Sequence, residues 1–178
     1  LEPGHTLELD ITKWKYSITK YFINPEPIKS HFYSSKNYIK QFDSVFKNAI
    51  KTHLQSDVPV GVLLSGGLDS TAILSAISEL KYKDIKTYSV AFEGDNSDNN
   101  ELKYAKIASN HFGVENFDLL ISRKQFISFL DDFVWHTDEP LADLASVPLY
   151  YISKLAKKSV KVVLSGEGAD EILGGYNF

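Results

Sequence analysis

The chain has 178 residues, 43% hydrophobic and 24% charged, with a formal net charge of −4. This suits a globular domain with its own core, and the acidic balance disfavours a general nucleic-acid-binding surface. It contains no cysteine, so a disulfide framework, a thiolate metal site and a cysteine nucleophile are excluded within these residues, and no apolar run is long enough to cross a bilayer.

Residues 1–23 alternate weakly at Leu7, Leu9 and Ile11, then carry Trp14, Tyr16, Tyr21 and Phe22, which predicts a strand followed by an aromatic-rich arm. Asn24-Pro25-Glu26-Pro27 can continue neither a helix nor a central strand, so a linker is expected there. From Ser35 to Leu54 the apolar positions Ile39, Phe42, Val45, Phe46, Ala49, Ile50 and Leu54 recur at helical spacing and predict an amphipathic helix with one buried face. A βα alternation then begins. Short apolar runs at 58–64, 87–92, 117–121 and 160–164 read as strands; 68–80, 100–112, 123–135 and 146–158 read as helices, with Gly113 placed as a C-cap. Residues 93–100 are polar and read as a loop. Strands alternating with helices predict a doubly wound, mostly parallel α/β sheet with helices on both faces.

Ser65-Gly66-Gly67-Leu68-Asp69-Ser70 lies between a buried strand and a helix start. Unpaired N–H groups point outward there and favour an anion such as pyrophosphate. Two glycines open the backbone to close approach, and Ser65 and Ser70 add hydroxyl donors. Asp69 repels phosphate directly, so its task is to hold Mg²⁺ that bridges phosphates. No lysine follows the glycines as a Walker loop requires, the dinucleotide pattern Gly-x-Gly-x-x-Gly is absent, and position 63 is Leu where a serine-hydrolase elbow needs glycine. Alone, the loop also fits a tight βα turn whose serine and aspartate cap the helix.

A second loop of the same kind, Ser165-Gly166-Glu167-Gly168-Ala169-Asp170, follows the fourth strand. The connection from about 122 to 159 is long enough for the chain to return and lay that strand beside the first. This creates a topological switch point, where ligands bind at the carboxyl ends of strands. Both loops then face one crevice, Asp69 and Asp170 share Mg²⁺, and Glu167 reaches the reacting centre. Plain helix-terminal charge is the competing account of Glu167 and Asp170. The five histidines are scattered without metal-ligand spacing.

Ser65-Gly-Gly-Leu-Asp-Ser70 resembles the signature of the ATP pyrophosphatases, with an adenine nucleotide alpha hydrolase-like fold. Asp138-Glu-Pro-Leu-Ala-Asp143, Pro148-Leu-Tyr150, the run from Lys161 to Glu171 and Gly174-Gly-Tyr176 are similar to blocks of the asparagine synthetase family, in order and at similar spacing. The resemblance implies ATP-dependent, AMP-forming amidation of aspartate through β-aspartyl-AMP, with ammonia supplied from glutamine by an N-terminal glutaminase domain. It implies that Leu64, Phe92, Ser165 and Gly166 contact adenosine, that Glu167 is the base, and that Asp138, Glu139 and Asp143 lie in the region lining the substrate site. Residues 1–30 resemble the end of that glutaminase-like domain and its linker. Residues 31–178 resemble the synthetase domain, C-terminally incomplete. The family's glutaminase cysteine and a later phosphate-binding lysine are not among these residues, so the 178 residues alone are expected to be inactive or impaired. The resemblance is compatible with a homodimer, and nothing marks the chain for export, so cytoplasm is the expected location. The other readings are a cyclase or amidotransferase acting on another carboxylate, of the β-lactam synthetase or polysaccharide amidotransferase kind, and a non-catalytic nucleotide-binding relative.

Overall fold

The computed structural model describes residues 1–23, 34–94, 101–139, 141–143 and 145–176. The expected linker at 24–27 and most of the expected polar loop at 93–100 lie outside them. The chain divides into two compact units, Leu1–Ile39 and Lys40–Phe178. Among the described residues no helix is long and apolar enough to cross a membrane.

The first unit holds an antiparallel hairpin. β1 (His5–Asp10) pairs with β2 (Lys15–Lys20) in a register running from His5 opposite Lys20 to Asp10 opposite Lys15. The expected aromatic arm is therefore a second strand. Its turn closes on Asp10, whose Oδ1 accepts from Thr12 N (2.9 Å), Thr12 Oγ1 (2.6 Å) and Lys13 N (3.0 Å). Those bonds, led by the Thr12 hydroxyl, hold the Asp10 carboxyl below its ordinary range. Leu7 lies opposite Ile18 and Leu9 opposite Tyr16, so one face of the hairpin is apolar, and all four side chains are exposed.

α1 (Ser35–His53) follows. Its expected buried face is buried only near its end, at Ile50 and at Leu54 just beyond, while Phe42 and Val45 remain exposed. Lys47 pairs with Asp43 one turn earlier (2.8 Å) and with Glu79 (2.6 Å), tying the helix to α2 (Leu68–Glu79).

The sheet of the second unit is wholly parallel. Its strands are β3 (Val60–Leu63), β4 (Lys86–Phe92), β5 (Glu115–Ile121) and β6 (Val162–Leu164), in the order β5-β4-β3-β6. The chain builds outward from β3 through α2 and α3 (Glu101–Phe112), then returns to lay β6 on the other side of β3. The expected switch point is present. Alternation sorts β3 between two cores. Val60, Val62 and Leu64 pack with Ile73, Leu74 and Ile77 of α2 and Ala105 of α3. Leu63 packs on the opposite face with Tyr88, Ile152 and Ala156, the last two from α6 (Ser146–Ala156). Gly61 makes room there for the Tyr88 ring: a Cβ at Gly61 would stand 2.6 Å from Tyr88 Cε2. The Tyr88 hydroxyl meets Ser159 Oγ at 2.6 Å.

Two expected elements are corrected. The helix expected over 123–135 is two helices, α4 (Arg123–Ser128) and α5 (Leu130–Thr137). At Phe129 the backbone N–H divides between the carbonyls of Gln125 (3.1 Å) and Phe126 (3.3 Å), which tightens the turn. The Phe129 ring is buried and stacks on Tyr150 of α6 at 4.1 Å between centroids. The strand expected from Val160 begins only at Val162, because Val160 N donates back to Ala156 O (2.9 Å) as the last turn after α6. Gly113 has φ +65 just beyond α3, as its expected capping place requires.

Candidate active site

The two glycine loops meet at the carboxyl ends of β3 and β6. In the first, Ser65 Oγ accepts from Gly67 N (3.2 Å) and lies 3.1 Å from Ser70 Oγ, which reaches Gly67 O at 3.3 Å. Ser70 is buried and braces the loop from inside. Gly67 is the N-cap of α2 in extended conformation, and among the described residues no side chain caps that helix. The turn is a tight one braced by Ser65 and Ser70, and α2 starts without a side-chain cap from its N-cap residue.

Gly66 has a packing requirement of its own. Its φ is +82, and a Cβ there would stand 2.5 Å from Ala105 N and 2.7 Å from Tyr104 Cβ. It is glycine because α3 packs against it, and it does not line the cavity. Beneath the loop, Ser89 Oγ donates to Leu64 O (2.6 Å) and reaches Asn116 Oδ1 (3.0 Å), where Thr87 Oγ1 also converges (2.9 Å). Thr87 and Ser89 are almost completely buried, so this polar cluster fixes the residue immediately before Ser65 from within the core.

The second loop abuts the first. A Cβ at Gly166 would stand 3.0 Å from Asp69 Cβ and 3.3 Å from Ser70 N. Gly168 turns the chain at φ +88 into the short helix α7 (Ala169–Leu173), which Gly174 ends at φ +70.

Between the loops lies a cavity of about 320 Å³. Leu64, Ser65, Gly67, Asp69 and Ser70 line it from one side. Ser165, Gly166, Glu167 and Asp170 line it from the other. Phe92 does not; its ring packs edge-on against Phe126 at 5.8 Å. Asp138, Glu139 and Asp143 do not line it either. Asp138 is the left-handed C-cap of α5, the Glu139 carbonyl accepts from Thr137 Oγ1 (2.7 Å), and Asp143 accepts from Ala145 N (3.0 Å) and Ser146 Oγ (2.8 Å) at the start of α6.

Several lining residues were not anticipated. Ala145, Pro148, Leu149 and Ile152 form an apolar wall along α6, and their spacing of three, four and seven is the signal that could have marked them. Glu101, Glu171 and Tyr176 also line the cavity. Tyr176 Oη donates to Glu171 Oε1 at 2.8 Å. That bond draws the Glu171 carboxyl below its ordinary range and raises the Tyr176 phenol.

Five acidic residues, Asp69, Glu101, Glu167, Asp170 and Glu171, line this space, and among the described residues lining it there is no lysine or arginine. No set of three His, Cys, Asp or Glu side chains among the described residues is gathered to hold a metal ion by itself.

The family model for asparagine synthase matches residues 41–178. The chain belongs to the asparagine synthase family. It is 39% identical to asparagine synthetase (glutamine-hydrolyzing) 1 of Bacillus subtilis, over 99% of this chain and 27% of that protein. It is 35% identical to a putative asparagine synthetase (glutamine-hydrolyzing) 2 of Methanocaldococcus jannaschii, over 99% of this chain and 33% of that protein. With asparagine synthetase B of Escherichia coli it shares 34% identity, over 80% of this chain and 27% of that protein. The chain thus spans between about a quarter and a third of these relatives' length. Among solved structures, a U34-tRNA thiolase from Methanococcus maripaludis superposes with a TM-score of 0.55 at 17% identity, over 80% of this chain and 50% of that one. An NMN synthetase from Francisella tularensis gives 0.51 at 15% identity, over 82% and 60%. These two likenesses concern the fold, which is the adenine nucleotide alpha hydrolase-like fold that the resemblance of Ser65–Ser70 implies.

Proposed function

We propose that this chain is the ATP-binding part of a ligase that amidates aspartate to asparagine, forming AMP and pyrophosphate. The carrying observation is the convergence of two Ser-Gly loops across the β3–β6 switch point, which brings Asp69, Glu167 and Asp170 to one cavity. In this reading ATP lies with its triphosphate over Ser65–Ser70, where loop N–H groups and the Ser65 hydroxyl take up charge on the departing pyrophosphate. The aspartate carboxylate attacks the α-phosphorus and displaces pyrophosphate. Ammonia then attacks the acyl carbon and AMP leaves. Glu167, exposed at the cavity edge, takes the proton that the nitrogen must lose. Leu64, Ser165 and Gly166 bound the adenosine side.

The acid-rich lining supports Mg²⁺ as the companion of ATP. A polyanion meeting five carboxylates and no lining cation needs counter-charge, and Mg²⁺ suits one or two carboxylates plus phosphate oxygens. Asp69 and Asp170 are the residues that would hold it. Bound there, Mg²⁺ would offset charge building on the phosphates.

Residues 1–30 belong, in this reading, to the end of a glutaminase-like domain that supplies ammonia. The apolar face of the hairpin supports it, because an isolated two-stranded hairpin is marginal in water and such a face belongs against a larger body. Cytoplasm is the proposed location, where the small-molecule substrates of such a ligase are found.

ATP–pyrophosphate exchange on the full-length protein, run with a panel of carboxylates, tests the reading. Exchange stimulated by aspartate alone supports it. Exchange driven by another acid moves the chain to a related amidotransferase or cyclase, and no exchange with any acid makes it a non-catalytic nucleotide-binding relative.

A further inference from the structure

Two adjacent glycines follow α7, and they are glycine for different reasons. Gly174 sits at φ +70 with open space where its Cβ would be. It is the left-handed cap of the helix, and its requirement is one of backbone conformation. Gly175 lies outside the left-handed region, so its backbone would accept any residue. What a side chain there would meet is Asp170: a Cβ at Gly175 would overlap Asp170 Oδ1 outright and stand 2.9 Å from its Cγ. The backbone N–H of Gly175 also donates to the carbonyl of Asp170 at 3.1 Å, which holds the two residues in register.

We propose that Gly175 is a positioning residue for Asp170, its missing Cβ being the space in which the metal-holding carboxylate rests. The inference rests on the reading of Asp170 as an Mg²⁺ ligand. The atom displaced by a Cβ is the far end of a flexible side chain. A methyl group at position 175 is therefore accommodated by turning the carboxylate away, and the fold absorbs it. The metal site does not, because a ligand oxygen displaced by more than a few tenths of an ångström no longer completes the coordination geometry that Mg²⁺ demands. Gly174→Ala provides the opposite disturbance: it strains the backbone at positive φ and leaves the carboxylate space open.

The test is Mn²⁺ binding to the full-length protein with saturating ATP, read by electron paramagnetic resonance, together with the melting temperature of each metal-free variant. Gly175→Ala is expected to weaken Mn²⁺ by about tenfold or more, the usual effect of disturbing a ligand's support, with a melting temperature close to the parent's. Gly174→Ala is expected to do the reverse. Asp170→Asn is expected to weaken Mn²⁺, and adding Gly175→Ala to it to weaken Mn²⁺ no further, since both changes act through one carboxylate. Should Gly175→Ala fail to fold, Asp170→Ala in the same chain is expected to restore folding by removing the carboxylate; no restoration overturns the proposal. Parent-like Mn²⁺ affinity in Gly175→Ala beside a weakened Asp170→Asn overturns the positioning role and leaves the ligand reading standing. Parent-like affinity in Asp170→Asn overturns the ligand reading and the positioning role with it.

Discussion

The Cβ that Gly166 lacks would stand 3.0 Å from Cβ of Asp69. Residues almost a hundred positions apart thus lie side by side across the two loops, with Ser70 N only 3.3 Å from the same point. The spacing is tighter than side chains normally tolerate, so Gly166→Ala must push α2's first turn by a few tenths of an ångström. Displacements of that size at a reacting centre cost on the order of tenfold in rate. ATP–pyrophosphate exchange is expected to fall by that amount while the urea midpoint changes little. An unchanged exchange rate would show that the loops have slack between them.

Gly66→Ala should act in the opposite sense. That residue touches α3 and not the cavity, and its φ of +82 adds backbone strain to a clash with Ala105 N. The expected result is a loss of roughly 2–4 kcal/mol in unfolding free energy, from left-handed strain and overpacking together. A urea titration showing parent-like stability would contradict this division of labour between the two glycines of the first loop.

Glu167→Gln separates the two half-reactions. If Glu167 takes the proton from nitrogen, asparagine formation should drop by about 10²- to 10⁴-fold, while aspartate-dependent exchange is largely kept. Equal loss of both would remove Glu167 from the base role.

The polar cluster under the first loop makes a stability prediction. Ser89→Ala leaves the buried carbonyl of Leu64 without its 2.6 Å donor. An unsatisfied buried polar group costs roughly 1–3 kcal/mol, measurable by chemical denaturation. A cost near zero would mean that water replaces the hydroxyl.

The bond from Tyr176 to Glu171 has a pH signature. Because it depresses the Glu171 carboxyl in the folded state, its contribution is present above the ordinary glutamate range and is lost as pH falls through the depressed value. For the raised Tyr176 phenol the contribution is present below the ordinary tyrosine range and is lost as pH rises through the raised value. In a carboxyl-resolved NMR titration, Tyr176→Phe should bring Glu171 back up toward ordinary glutamate. No movement would assign the shift to the backbone instead.

The sheet and the pair of loops were legible because strand, serine-glycine turn and helix recur twice with clear changes of period, and a long connection separates them. The hairpin was not. Its turn, residues 11–14, has no Asn-Gly or Asp-Gly signal, and the left-handed position is filled by Trp14 at φ 51, a residue no turn rule selects. The break at Phe129 was hidden for another reason: Phe126, Phe129 and Phe133 fit a continuous helix, and only packing on Tyr150 shows where the turn tightens. Within the site, Asp69, Glu167 and Asp170 announced themselves through the loops. The α6 wall did not, since Pro148, Leu149 and Ile152 look like any core-facing stripe until a cavity is seen beside them.

The position of β6 has a consequence for how the molecule comes into being. As the chain leaves the ribosome, β3, β4 and β5 can pair in order, and the Ser65 loop has its supporting strands once β5 has emerged. The cavity is not complete then. Its second wall arrives only when β6, some hundred residues after β3, slips in beside it. Such a late, distant pairing is slow to form. Until it does, the nascent chain has one wall of the cavity and an open flank on β3. A nucleotide that needs both loops would bind only chains that have finished this step, and by mass action would hold them there.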